Sequence, residues 1–353
     1  MRPGRRAIVS SVALACFAAA IQLAPASSTS PTSDQVSGTV AFSANEQIFV
    51  SHNGRTRQLT HDRLGVVGIA WSPDGLRLLA WRYRQLPALS IIEANGSIGR
   101  QVAVEVDGEP QWSPDGTQVA FQHGQYHRGH TGRTIYVTTV ANGATHAIAT
   151  NAISANFAPR TFDWAPDGKR IVYAGTSRLG ASLFIATVTP MTSRPTRIAS
   201  TTHKGPSVLS MPDWSPDGAL IAYQGINGVF LVRPDGSGLQ RLPWSNQYGQ
   251  PSWSPKGSKL ALVGRHNNYL INADGTGLRK LPGCSCTKVW PSFWQHLSWS
   301  PDGGLIAYAG GVGPGRQPEA GIYVEKLDGS AGVRIATAPN LQYTRPLWRP
   351  AGH

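Results

Sequence analysis

The chain has 353 residues, with 32 Lys or Arg against 19 Asp or Glu and a formal net charge of +13. It contains no Gly-x-Ser-x-Gly elbow, no His-Glu-x-x-His, no phosphate-binding loop and no dinucleotide fingerprint, and Gly175-Thr176-Ser177-Arg178-Leu179-Gly180 misses the elbow spacing, which excludes the commonest hydrolase and nucleotide-dependent chemistries. A positive potential of this size attracts anionic surfaces or polymers and weakens with salt; the plainer reading is a charge that keeps the protein soluble.

Residues 1–26 read as an export signal. Arg2, Arg5 and Arg6 form a basic start, Ala7 to Leu23 is largely apolar, and Ala24-Pro25-Ala26 supplies small residues for cleavage. Losing those three arginines takes Lys plus Arg from 32 to 29 against 19 acids, a mature charge of +10. The apolar run is interrupted by Ser10, Ser11 and Gln22, short of the ~20 residues that a membrane span needs. Ala13-Leu14-Ala15-Cys16 is similar to a lipoprotein cleavage box, so membrane attachment is expected only if Cys16 is lipidated. Residues 27–37, rich in Ser and Thr, read as a flexible spacer. The protein is therefore expected outside the cytoplasm: extracellular, at the cell surface or periplasmic.

From residue 38 onward one phrase returns. Trp214-Ser215-Pro216-Asp217-Gly218, followed by Leu220 to Tyr223, has counterparts at Trp71, Trp112, Trp164, Trp253 and Trp299, and a clipped copy, Trp348-Arg349-Pro350-Ala351-Gly352. Ser-Pro-Asp-Gly is a tight turn: Pro presets φ, Asp bonds the local backbone and Gly supplies the exit. Each copy thus reads as strand, turn, strand. The Trp residues recur at steps of 39 to 52 residues, close to the roughly 40 to 50 of a four-stranded propeller blade. Seven further β-branched or aromatic phrases mark third strands: Gln47 to Val50, Leu89 to Ile92, Ile135 to Val137, Leu183 to Ile185, Val229 to Leu231, Tyr269 to Ile271 and Ile322 to Val324. Gly38 to Phe42 enters the pattern without a Trp-Ser-Pro ahead of it, and Leu347 to Gly352 supplies the missing strand. The expected fold for 38–353 is all-β: a seven-bladed β-propeller closed by a blade shared between the two chain ends, with six blades as the alternative.

These copies resemble the WD40-like, or PD40, repeats of the TolB propeller domain and of prolyl-oligopeptidase-type propellers, over residues 38–353. The chain departs from the pattern at Ala165 and Lys256 inside the turns. The resemblance implies the propeller fold; TolB also carries a separate N-terminal α/β domain, and prolyl-oligopeptidase relatives a hydrolase domain, for which the blades leave no room.

In such a fold the Ser-Pro-Asp-Gly turns share one face with the Asn-Gly and Asp-Gly turns, and the long connections share the other. That second face is expected to be basic and to hold the ligand. Its candidate binding residues are Arg82, Tyr83, Arg84, His123, Tyr126, His127, Arg128, His130, Trp290, Trp294, His296, Tyr343 and Arg345, with Arg133 beside them. His123, His127 and His130 read as a solvated loop or, alternatively, as ligands for zinc or copper. Cys284-Ser285-Cys286 reads as a loop disulfide or, with His296, a soft metal site. Trp290, Phe293 and Trp294 either pack back onto the propeller or form a stacking platform. Asp163 and Asp213, each just ahead of a Trp, face the channel and a cation, or else bond a neighbouring blade's backbone. The expected function is an exported, noncatalytic, monomeric binding module for a protein or an anionic cell-envelope polymer, with no cofactor and with nucleic acid the less favoured partner. The alternative is a propeller hydrolase or lyase with a His-based metal site at the channel mouth.

Overall fold

The computed structural model describes residues 37–61, 65–82, 88–123, 133–152, 160–177, 180–189, 194–200, 210–225, 227–243, 248–264, 267–281, 297–310, 321–328, 332–337 and 346–351. Those residues form 28 strands and no helix, arranged as an all-β propeller. Each unit is an antiparallel meander whose strands are called a to d from the inside outward.

The Ser-Pro-Asp-Gly turn is built by its own side chains. Ser215 Oγ donates to Asp217 Oδ1 at 2.6 Å and accepts from the Leu220 N–H at 2.8 Å. Asp217 Oδ1 also accepts from the Ala219 N–H at 3.0 Å, and the Gly218 N–H closes the turn on the Ser215 carbonyl at 2.8 Å. The Ser215 hydroxyl and the Ala219 N–H hold the Asp217 carboxyl below the usual range. The same Ser-to-Asp bond recurs at 2.5 Å from Ser72, Ser113 and Ser300. Gly218 sits at φ +74°, a region that costs a side chain strain. Where Ala165 replaces the serine, Asp167 turns to Arg170 instead, at 2.8 Å.

These turns also meet one another. Pro73 packs against Gly116, Pro114 against Gly168, Pro166 against Gly218, Pro216 against Gly257 and Pro255 against Gly303, where an added Cβ would lie 3.5 to 3.9 Å from the proline ring. They therefore line one rim in chain order. Each Trp fills the seam beside its strand, at 5 to 9% exposure. Four reach back to the preceding unit: the Nε1–H groups of Trp71, Trp112, Trp253 and Trp299 donate to the carbonyls of Leu347, Ala70, Asp213 and Ser252 at 3.1 to 3.2 Å. Because both faces of a unit are covered, middle strands such as Thr39–Ala44 and Ala88–Glu93 are buried almost throughout.

The two chain ends share one sheet, ordered Leu347–Trp348, Thr39–Ala44, Gln47–His52, Arg55–Gln58. Val40 lies opposite Trp348 and Ala41 opposite Leu347, and the Arg349 N–H donates to the Thr39 carbonyl at 2.7 Å. The expected closure is present.

The sheet count differs from expectation. Five sheets have four strands, and the strands from Val106–Trp112 to Thr196–Ser200 form a single eight-stranded sheet. The cause is an unusually long outer strand, Thr145–Ala152, whose last residue pairs with Gly175 of the following unit. Seven separate blades are therefore not what the hydrogen bonding displays.

Candidate functional site

The innermost strands line the axis, and the residue just before each Trp faces the next unit. Asp163 Oδ2 accepts from the Trp214 N–H at 2.7 Å, and Asp213 Oδ2 from the Trp253 N–H at 2.6 Å. Ser298 does the same for Trp348 at 3.1 Å. Both aspartates thus bond a neighbour's backbone, the second of the two expectations. A cation is nevertheless present: Arg160 Nη1 forms an ion pair with Asp213. The Arg160 side chain keeps 32% exposure and Asp213 11% while protein surrounds both, so they line internal space at the axis.

Charge at this cluster is unbalanced. Burial opposes the Arg160 charge, but Asp213, then Asp163 and Glu109, outweigh it and keep the guanidinium protonated. Burial first, and then repulsion from Asp213, push the Asp163 carboxyl up to about 7. Burial also raises Asp213, against the pull of Arg160. Asp163 therefore takes up its proton near neutrality. Beside it, Arg160, Met211, Gln250, Pro251, Ser252, Val263 and Leu297 enclose a recess of about 320 Å³ including its open mouth. Met211 and Gln250 take positive φ values of +54° and +46° at bulges in their inner strands, a strained conformation for side-chain-bearing residues.

The inner strands carry Asp107, Glu109, Asp163 and Asp213 and neither Lys nor Arg. The inner strands are thus acidic, with Arg160, just ahead of Phe162–Trp164, as a counter-cation. Conversely, the turn rim is not purely acidic: Arg77 and Arg170 pair with Asp74 and Asp167 and lie over the rings of Trp112 and Trp214 at 4.9 and 5.0 Å. The described turn rim thus carries both signs, while the inner strands carry acids alone.

Of the expected binding residues, His123 is described in full. It ends strand b of its unit, donates from Nδ1 to the Glu105 carbonyl at 3.0 Å and sets Nε2 3.8 Å from the Glu105 carboxylate. Its ring lies edge-on to Tyr136. It is held on the strand rather than in a loop cluster. Arg82 ends Arg77–Arg82 opposite Val66. Arg133, expected at the surface, is buried at 6% exposure at the start of Arg133–Thr139, paired with Ala152. Tyr83, Arg84, Tyr126, His127, Arg128, His130, Cys284, Cys286, Trp290, Phe293, Trp294, His296, Tyr343 and Arg345 lie outside the described residues, as do Cys16 and residues 1–36. Among the described residues no group of three or more His, Cys, Asp or Glu side chains is placed to hold a metal ion. Arg160 escaped the sequence reading. The available signal was the occurrence of Asp twice at a position held elsewhere by Ala70, Gln111, Ser252, Ser298 and Leu347, since two buried carboxylates call for a cation nearby.

A ring of repeated sheets, sewn at its own ends and with an acid-lined axis, defines a β-propeller of the repeat-built kind. The family model for the TolB beta propeller domain, PD40, matches residues 108–351, and the chain belongs to that family. In structure it is similar to TolB from Acinetobacter baumannii, at 15% identity and a TM-score of 0.52 over 89% of this chain and 67% of that one. An oligogalacturonate lyase in complex with manganese gives 15% identity and 0.56, covering 86% of each chain. The propeller domain of Myceliophteria thermophila Cps50 (Swd1) gives 10% and 0.56, over 78% and 88%. At such identities the likeness concerns the fold. No curated protein matches the sequence.

Proposed function

We propose that this protein is an exported, noncatalytic propeller that engages a protein or anionic partner of the cell envelope through the side of the ring opposite the Ser-Pro-Asp-Gly turns. The observation that carries this reading is the common rim of those turns. With their chain-ordered Pro-Gly contacts fixing one side, the longer b-to-c and d-to-a connections must leave from the other. Arg82 and His123 both end b strands at that side. Binding residues on a rigid scaffold favour such connections. Membership of the TolB propeller family, the basic net charge and the leader-like residues 1–26 support the same reading. The eight-stranded sheet is best taken as two repeats joined by the single Ala152–Gly175 pairing, which makes seven repeats with the first shared between the chain ends.

The test is crosslinking of the purified protein in a cell-envelope fraction, with Arg82, Arg84 and Arg128 replaced together by Ser. Loss of the captured partner supports the reading, and unchanged capture overturns it. Metal analysis of the same preparation is the second measurement: stoichiometric zinc, copper or manganese that disappears with His127→Ala would replace it with a catalytic one.

A further inference from the structure

Of the residues just before a repeated tryptophan, Gln111, Asp163, Asp213, Ser252 and Ser298 are polar. Asp163, Asp213 and Ser298 accept from a tryptophan N–H of the next unit, and Gln111 donates to the Phe162 carbonyl at 2.8 Å. Ser252 is the exception. Among the described residues its hydroxyl makes no hydrogen bond, and it lines the recess beside the axis instead. Arg160 lines the same recess with donors to spare. A guanidinium has five N–H groups, and among the described residues that of Arg160 makes one hydrogen bond, to Asp213. A hydroxyl and a partly exposed guanidinium on the walls of one recess call for an acceptor from outside the fold.

The local backbone is shaped around these groups. The Met211 N–H donates to the Arg160 carbonyl at 3.0 Å, which ties Arg160 down although it precedes its strand. Met211 and Gln250 sit at bulges, which re-aim side chains. The charge of a ligand follows from what it would touch. The Asp163 and Asp213 carboxylates accept from backbone N–H groups and from Arg160, and neither residue lines the recess, so an entering cation meets the guanidinium first. Below about pH 7 Asp163 holds its proton and Asp213 balances Arg160, leaving Glu109, the weakest of the three carboxyls acting on the guanidinium. Such a setting admits one negative charge and disfavours two. Met211, Pro251, Val263 and Leu297 make the remaining wall largely apolar, and about 320 Å³ with the open mouth included is small for a ligand site.

We propose that this recess binds a small aliphatic monocarboxylate, with Arg160 and Ser252 donating to its oxygens and Met211, Pro251, Val263 and Leu297 enclosing its hydrocarbon body. Charge-assisted bonds from a guanidinium suit a carboxylate, and the apolar wall rewards a short branched chain over a bare inorganic anion. The site goes beyond the partner-binding role proposed above: its ligand is a free small molecule, and no envelope component is needed to fill it.

The experiment is saturation-transfer NMR with calorimetric titration of the purified chain at about pH 6, where Asp163 is protonated, using isobutyrate as the ligand and isobutylamine and inorganic phosphate as controls. Isobutyrate is expected to bind with a dissociation constant of about 1 mM, within reach of so few heavy atoms, and both controls at least roughly tenfold more weakly. Arg160→Gln should weaken isobutyrate by about tenfold or more. Two variants milder towards the fold keep the test decisive if that one unfolds. Ser252→Ala removes a hydroxyl without a partner among the described residues and should weaken binding about three- to tenfold, and Val263→Phe, which fills the recess, should abolish it. The Arg82/Arg84/Arg128 variant should bind isobutyrate like the parent, so the loop-face reading and this one fail separately. Tighter binding of isobutylamine than of isobutyrate overturns the inference in favour of a cation at the acidic axis. Absence of isobutyrate binding by the parent also overturns it, as does binding that survives both Ser252→Ala and Val263→Phe, or binding of a carboxylate only when it is carried on a peptide.

Discussion

Replacing Trp348 by Ala tests whether the ring is held by its own ends. Trp348 is 5% exposed and packs in one apolar cluster with Val40, Phe42, Phe49, Ala307 and Val324, which joins the shared sheet to its neighbour. Truncating a buried Trp costs about 3 to 5 kcal/mol, and here the strand that carries it is held to the sheet by only two residue pairs. A loss of 1 kcal/mol lowers the melting temperature by about 2 to 4 °C in domains of 150 to 250 residues and by somewhat less in larger ones, so a drop of about 5 to 10 °C is expected. Removal of residues 347–353 should exceed it, because Trp71 then loses its acceptor, the Leu347 carbonyl, and Gly75 its contact with Arg349. Differential scanning calorimetry of the parent, the Trp348→Ala variant and the truncated chain reads the effect. A truncated chain that melts within a degree of the parent would show that the ring closes elsewhere.

Arg349→Ala should cost about 1 to 2 kcal/mol in the same assay, through the loss of its 2.7 Å bond to the Gly75 carbonyl and its position over the Trp71 ring. Asp163 has its folded-state pKa raised to about 7 from 3.8. Its contribution is therefore fully present below about pH 4 and lost as pH rises towards 7, and Asp163→Asn, which still accepts the Trp214 N–H, should flatten the fall in melting temperature over that window. A parallel pH profile in the variant would refute the proton on Asp163. Arg160→Met leaves Asp163 and Asp213 without their cation; a loss of about 3 kcal/mol is expected at pH 8, shrinking at pH 5, where Asp163 holds a proton. Ser215→Ala removes the hydroxyl that serves both Asp217 and the Leu220 N–H and should cost about 1 to 2 kcal/mol by chemical denaturation.

The fold was legible because its determinants are local. Trp214-Ser215-Pro216-Asp217-Gly218 builds its turn from its own hydroxyl, carboxylate and glycine, so every intact copy announces the same strand pair wherever it falls. The third-strand phrases were equally plain, and all seven lie in strands. The shared closing sheet followed from one missing phrase at each end. The eight-stranded sheet was not legible, because it depends on how far Thr145–Ala152 extends before the chain turns. Arg160 was hidden for a related reason: it lies outside the repeated phrase, and its partner Asp213 is 53 residues away. The acids of the inner strands were also missed as a group, since they stand out only when residues are grouped by strand rather than by loop. The candidate binding residues, drawn from the connections, rest on chemistry alone.

The closing sheet fixes more than stability. In the complete copy at Trp71, six residues separate the tryptophan from Leu78, its partner across the turn. At the ends of the chain Trp348 faces Val40 in the same way. Joined directly, Gly352 to Gly38, the chain would place Arg349, Pro350, Ala351, Gly352, Gly38 and Thr39 between that pair, the same number with Pro and Gly in the same places. The polypeptide is thus written as a loop cut at one bend, and its beginning could be moved to another bend, such as Asn142-Gly143, with no linker added.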